Sequence, residues 1–196
     1  MKNEYLETNE AIEFLDSLAS ISYFLEHTQS EPKYWKWSFI ALHMTIQSAM
    51  VLALRRTDGF GPLCEQKEKK YFEQLEATGE HQRLPDYLIK FLQLYKKIKK
   101  EGKIQSAHGK PYISKGNEDQ QMEFLNNVRN NYIHFTPKTW MLHVGTAPDL
   151  FLSLIEIPKY LVSQCRKFHW IDETSQQVNF DAHFKTIEST LNSLKK

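Results

Sequence analysis

Phe39-Ile40-Ala41-Leu42-His43-Met44-Thr45-Ile46-Gln47-Ser48-Ala49-Met50-Val51-Leu52-Ala53-Leu54 is the most apolar run of the chain. At about 16 residues, and holding His43, Thr45, Gln47 and Ser48, it is short and polar for a membrane span and reads as a core helix. It sits inside a helical segment that starts at Pro32, a favoured first position, and continues to about Arg56. Apolar nearly all round, that segment must be covered on every side, which requires other helices packed about it. The predicted fold is an all-α, up-and-down bundle of about six helices in one domain spanning residues 1–196.

Outward from this centre, the segment from about Asn9 to His27 carries a stripe of Ile12, Leu15, Leu18, Ala19, Ser22 and Leu25, with Thr8 or Asn9 as cap. Thr57-Asp58-Gly59-Phe60-Gly61-Pro62 breaks the chain, and a short helix is expected over Glu65–Ala77. A further helix is expected from about Pro85 to Lys100, with Tyr87, Leu88, Phe91, Leu92, Tyr95 and Ile98 on one face. Lysines gather at its end, where the helix dipole favours cations. Gly102–Gly116 is a long loop, which implies mobility or a binding role. Asn117 is placed to cap the next helix, with Glu118 and Asp119 in its first turn, and Pro137 stops that helix at Thr136. A short extended piece follows around Trp140–Val144. A helix from Pro148 to about Phe168 is kinked at Pro158, and a last one spans Asn179–Leu194.

Hydrophobic residues at 41% and charged residues at 25% are ordinary for a folded globular protein. Lys plus Arg (25) nearly balances Asp plus Glu (24), which excludes the strong overall basic field of a generic duplex binder, so nucleic-acid contacts must be local. Two cysteines, Cys64 and Cys165, are too few for a disulfide framework, and a reducing cytoplasm is the expected setting. The N-terminal residues lack the basic-then-apolar order of a secretory signal, and no membrane association is expected.

The segment ahead of Pro137 carries the chemistry. On an ideal helix at roughly 100° per residue, Met122, Leu125, Val128, Tyr132 and Phe135 form one apolar stripe. His134 falls nearly opposite, beside Asn126, Asn127 and Asn130, while Arg129 flanks the stripe about 140° from His134. Arginine neutralises charge building on phosphorus, and histidine moves protons near neutral pH. One helix at that angle does not aim both side chains at one phosphate, whereas two copies about a two-fold axis close the gap.

Arg129-Asn130-Asn131-Tyr132-Ile133-His134, together with Ala41-Leu42-His43 and Gln47 on the long apolar helix, resembles the HEPN family of helical bundles. Its signature is an arginine, a polar residue and a histidine four to six positions after the arginine. The resemblance covers residues 9–170 as a helical pattern and implies a homodimeric, metal-independent endoribonuclease that needs no cofactor. By this resemblance His134 would abstract or donate a proton around the ribose hydroxyl, Arg129 would stabilise the pentavalent phosphorus, and Asn130 would orient the histidine or the phosphate. Many members are toxins or antiviral growth-arrest nucleases, some paired with an antitoxin protein; others have lost catalysis. The branch paired with a nucleotidyltransferase antitoxin carries a tyrosine two positions after the histidine. Here that position is Thr136, which puts that regulation in doubt.

Plainer readings stand beside these. Arg129 and His134 also fit a non-catalytic helical module that binds a nucleotide or a partner protein. His134 in a last helical turn is biased towards the imidazolium, which favours an acid or electrostatic role over a base. His43 and Gln47, one turn apart, read as a satisfied core network. Lys96, Lys97, Lys99, Lys100 and Lys103, followed by Lys110 and Lys115, fit a solvated face or phosphate contacts, with Lys99, Lys100, Lys103 and Lys110 as the RNA-binding set. Tyr112 is a candidate for stacking on a base, and Trp35, Trp37 and Phe39 read as packing. Cys64 has no histidine partner in sequence, and no metal-ligand spacing is present.

Overall fold

The computed structural model describes residues 5–81, 87–106, 109–134, 137, 139–165, 167–170 and 180–195. It is all-helical: α1 (Glu10–His27), α2 (Tyr34–Leu54), α3 (Glu65–Thr78), α4 (Phe91–Ile98), α5 (Glu118–Ile133), α6 (Ala147–Leu154), α7 (Glu156–Gln164), the single turn α8 (Lys167–Trp170) and α9 (Phe180–Leu194). The expected starts at Pro85 and Asn179, the end at Thr136 and the stripe residue Phe135 lie outside the described residues.

The centre is α2. It packs along α1 over most of its length and also meets α4, α5, α7 and α8. Among the described residues it is the one helix long and apolar enough to cross a membrane, and 67% of that stretch is buried inside the bundle. Phe39, Leu42, Ile46, Ala49 and Met50 are buried to 1% exposure or less. Thr45 is accommodated locally, its hydroxyl donating to the Ala41 carbonyl (2.9 Å) and lying 3.0 Å from the Ser17 hydroxyl of α1.

At the start of α1 the Asn9 side chain accepts from the Ala11 and Ile12 amides (2.9 and 3.0 Å), satisfying donors the helix cannot satisfy itself. Its buried stripe is Phe14, Ser17, Leu18, Ile21 and Leu25, rotated from the expected one, and Ala19 is exposed. Two partners set that rotation, because α1 lies against both α2 and α9 and Phe14 meets Phe168 and Phe180.

The break after α2 depends on Gly61. Its φ is +111°, and a Cβ there would lie 2.0 Å from the Leu54 carbonyl oxygen, so only glycine fits. The stretch 102–116 is anchored where it is described. The Gln105 amide donates to the Ala53 carbonyl (2.8 Å) and the Tyr112 amide to the Ile98 carbonyl (3.0 Å), with Ile104 and Tyr112 buried. This corrects the expectation of base stacking by Tyr112, whose ring packs edge-on against Tyr160.

Pro158 interrupts the helix earlier than its own position. Lacking an N–H, it leaves the Leu154 carbonyl without its helical partner, and the chain divides at Ile155 into α6 and α7. That division is one reason the count exceeds the expected six. No strand forms over 139–144; the β-type pairing among the described residues is an isolated Leu63–Leu88 bridge.

Met122, Leu125 and Val128 of α5 are buried, and Tyr132 is half-buried against Trp140. Asn117 makes no capping bond; instead the buried Glu118 carboxylate accepts from the Lys115 amide. Asp119 ties α5 to α4 by accepting from the Tyr95 hydroxyl (2.8 Å) and Lys99 (2.8 and 2.9 Å). Lys99 first, then Ser114 and Tyr95, hold its carboxyl down at about 2. The clamp fixes α4 beside α5, and these two helices with α2 enclose the site.

Candidate functional site

A groove of about 470 Å³ lies where α2, the start of α4 and the end of α5 meet. His43 and Gln47 come from α2, Lys90, Phe91 and Gln93 from the start of α4, and Asn126, Arg129, Asn130 and His134 from α5 and its cap. Asn126, Arg129 and Asn130 share a face because residues three and four apart on a helix are neighbours.

The ideal-helix geometry set His134 apart from Arg129, yet both border this groove. His134 has left the helix: it is the C-cap of α5, with φ −106° and ψ 82°, and its amide still donates to the Asn130 carbonyl (2.8 Å). Both side chains line one groove of a single chain, where the expectation had invoked a second copy. Arg129 is half-buried and donates from Nη1 to the Asn130 Oδ1 (3.1 Å). Among the described residues it has no carboxylate partner, and none lines the groove. A cleft bordered by Arg129 and Lys90 with no acidic wall suits an anion.

His43 corrects the reading of a satisfied core network. It is 3% exposed, its ring stacks on Phe91 (centroids 3.9 Å apart, planes at 22°), and its Nε2 has no hydrogen-bond partner among the described residues. Burial, and after it the positive charge of Arg129, lower its pKa from 6.5 to about 4, while a side-chain hydrogen bond between the ring and Asn126 acts the other way. His43 is therefore neutral at physiological pH. The sequence signal was the polar pair His43 and Gln47 inside an otherwise apolar helix; Asn126, Lys90 and Gln93 become site residues only through packing.

No family model, curated protein or solved structure matches the chain.

The lysines divide into separate places. Lys99 is engaged with Asp119. Lys100 and Lys103 line a neighbouring hollow of about 490 Å³ with Lys96 and Lys97, which meets the groove at Gln93. Lys110 opens into a different cavity, beside Lys115, Lys159 and Tyr160. Cys64 borders the lysine hollow, where no histidine accompanies it.

Proposed function

We propose that the chain is a HEPN-type, metal-independent endoribonuclease whose reaction takes place in the groove between α2, α4 and α5. The observation that carries this reading is the convergence of Arg129, Asn130 and His134 on one cleft bordered by cations and free of carboxylates. In the reaction, the ribose 2′-hydroxyl gives up its proton to solvent as the 2′ oxygen attacks phosphorus. The bond from phosphorus to the 5′ oxygen breaks, and that oxygen takes a proton from the exposed His134 ring, which regains one from solvent, leaving a 2′,3′-cyclic phosphate and a 5′-hydroxyl. Arg129 balances the charge that grows on the non-bridging oxygens, and Asn130, bonded to Arg129, holds the guanidinium in place.

Lys100 and Lys103 extend the cationic surface from Gln93 and guide the strand; Lys99 is occupied by Asp119. A homodimer through α5 belongs to this reading. In support of it, Phe124 and Ile133 of α5 remain 42% and 45% exposed and Trp37 and Met44 of α2 43% and 40%. The test is incubation of purified protein with single-stranded and structured RNA in chelator, followed by end-group analysis of any fragments. Cleavage leaving cyclic phosphate ends, lost in His134→Ala, is expected. Intact RNA, or equal cleavage by the variant, leaves a non-catalytic ligand-binding bundle as the reading.

A further inference from the structure

The groove contains one group that the proposed reaction does not use. His43 Nε2 is buried, lines the cleft and has no partner among the described residues, whereas the Ser38 and Thr45 hydroxyls of the same helix are bonded to backbone carbonyls. Leaving a buried polar atom unpaired is costly, so such an atom in a cleft points to a ligand that completes it. The ring cannot swing away to find water, because its face is fixed against Phe91. Opposite stands Arg129, whose charge reaches His43 and whose only side-chain hydrogen bond among the described residues goes to Asn130.

An unpaired buried ring nitrogen and a guanidinium with no carboxylate partner among the described residues therefore border one space, and the remaining charged or titratable groups lining it are Lys90 and His134. We infer that His43 is a phosphate-binding residue: its Nε2–H donates to a non-bridging oxygen of the phosphodiester that Arg129 neutralises. A neutral imidazole is well suited to this, because it adds a donor beside Arg129 without repelling it. Phe91 sets the direction of the donor, and Asn126 meets the ring from α5. The choice of a phosphodiester as the anion rests on the ribonuclease reading; the donor geometry does not.

The test uses the full chain with two probes, inorganic phosphate and a 2′-deoxy dinucleoside monophosphate, which carries the phosphodiester but lacks the attacking hydroxyl. Affinity is measured by calorimetry, and the histidine ring nitrogens are followed by ¹⁵N NMR during titration. His43→Phe preserves ring shape and the stack on Phe91, and it removes the unpaired atom, so it is expected to fold. It is expected to weaken both probes about tenfold, while His43→Gln, which keeps a donor, loses less. In the wild type the His43 Nε2 signal shifts on binding. Unchanged affinity in His43→Phe, a stationary His43 signal, or no binding of either probe to the wild type overturns the inference. Binding through His43 without RNA cleavage upholds it and removes the ribonuclease reading; cleavage with full probe affinity in His43→Phe does the reverse.

Discussion

Acidification provides a direct test of how His43 is held. Its pKa lies at about 4 against an ordinary 6.5, chiefly through burial and then through Arg129. As pH falls through 6.5 the unfolded chain takes up a proton that the folded chain refuses until about 4. Across that window the unfolded state binds more protons, so stability falls with acid and is fully present only above the unfolded value. At about 1.4 kcal/mol per unit, the shift corresponds to roughly 3 kcal/mol lost on going from neutral pH to about pH 4. Urea unfolding of the wild type and of His43→Phe across this range isolates the effect, because the carboxylates titrate alike in both proteins. The wild type is expected to lose roughly 3 kcal/mol more than the variant, with most of the difference accumulating between about pH 6.5 and pH 4. Parallel curves for the two proteins would refute the picture of a buried neutral imidazole facing a guanidinium.

Other outcomes follow from the same geometry. Gly61→Ala places a methyl group against the Leu54 carbonyl in a left-handed backbone, and thermal unfolding should show a loss of at least about 3 kcal/mol. Lys99→Ala releases Asp119 from its main partner and lowers stability by at most about 1 kcal/mol, with RNA affinity in filter binding unchanged. Lys100→Ala and Lys103→Ala instead weaken RNA binding and flatten its salt dependence by roughly 0.7 in slope per lysine, a change absent in Lys110→Ala, whose side chain borders a different cavity. Unequal slopes are the decisive feature of that series.

The sequence conveyed the architecture where burial was one-sided or complete. The Met122, Leu125 and Val128 stripe had to face inward and is buried, and the run from Phe39 to Leu54 is surrounded over most of its circumference, with Met44 left 40% exposed. It conveyed less where two partners compete for one helix. The α1 sequence holds two overlapping apolar stripes, and contact with both α2 and α9 selects the one centred on Phe14, Leu18 and Ile21. Pro158 was legible as a break, but its effect falls four residues upstream, at the carbonyl left without a donor. At the site, Arg129, Asn130 and His134 stood out by spacing, whereas the groove they line is walled by α2 and the start of α4, which periodicity does not fix. His43 was visible as a polar residue in an apolar helix. Its unpaired nitrogen and its position opposite Arg129 arise from the packing of α2 against α4 and α5, which no local pattern encodes.

The most direct test of the central claim is the single-turnover rate of RNA cleavage in excess chelator, compared among the wild type, Arg129→Ala, His134→Ala and Lys110→Ala. The account predicts cleavage by the wild type and Lys110→Ala at similar rates, a fall of about 10²–10³ in Arg129→Ala and about 10²–10⁴ in His134→Ala. Equal rates in all four proteins, or no cleavage by the wild type, would contradict it.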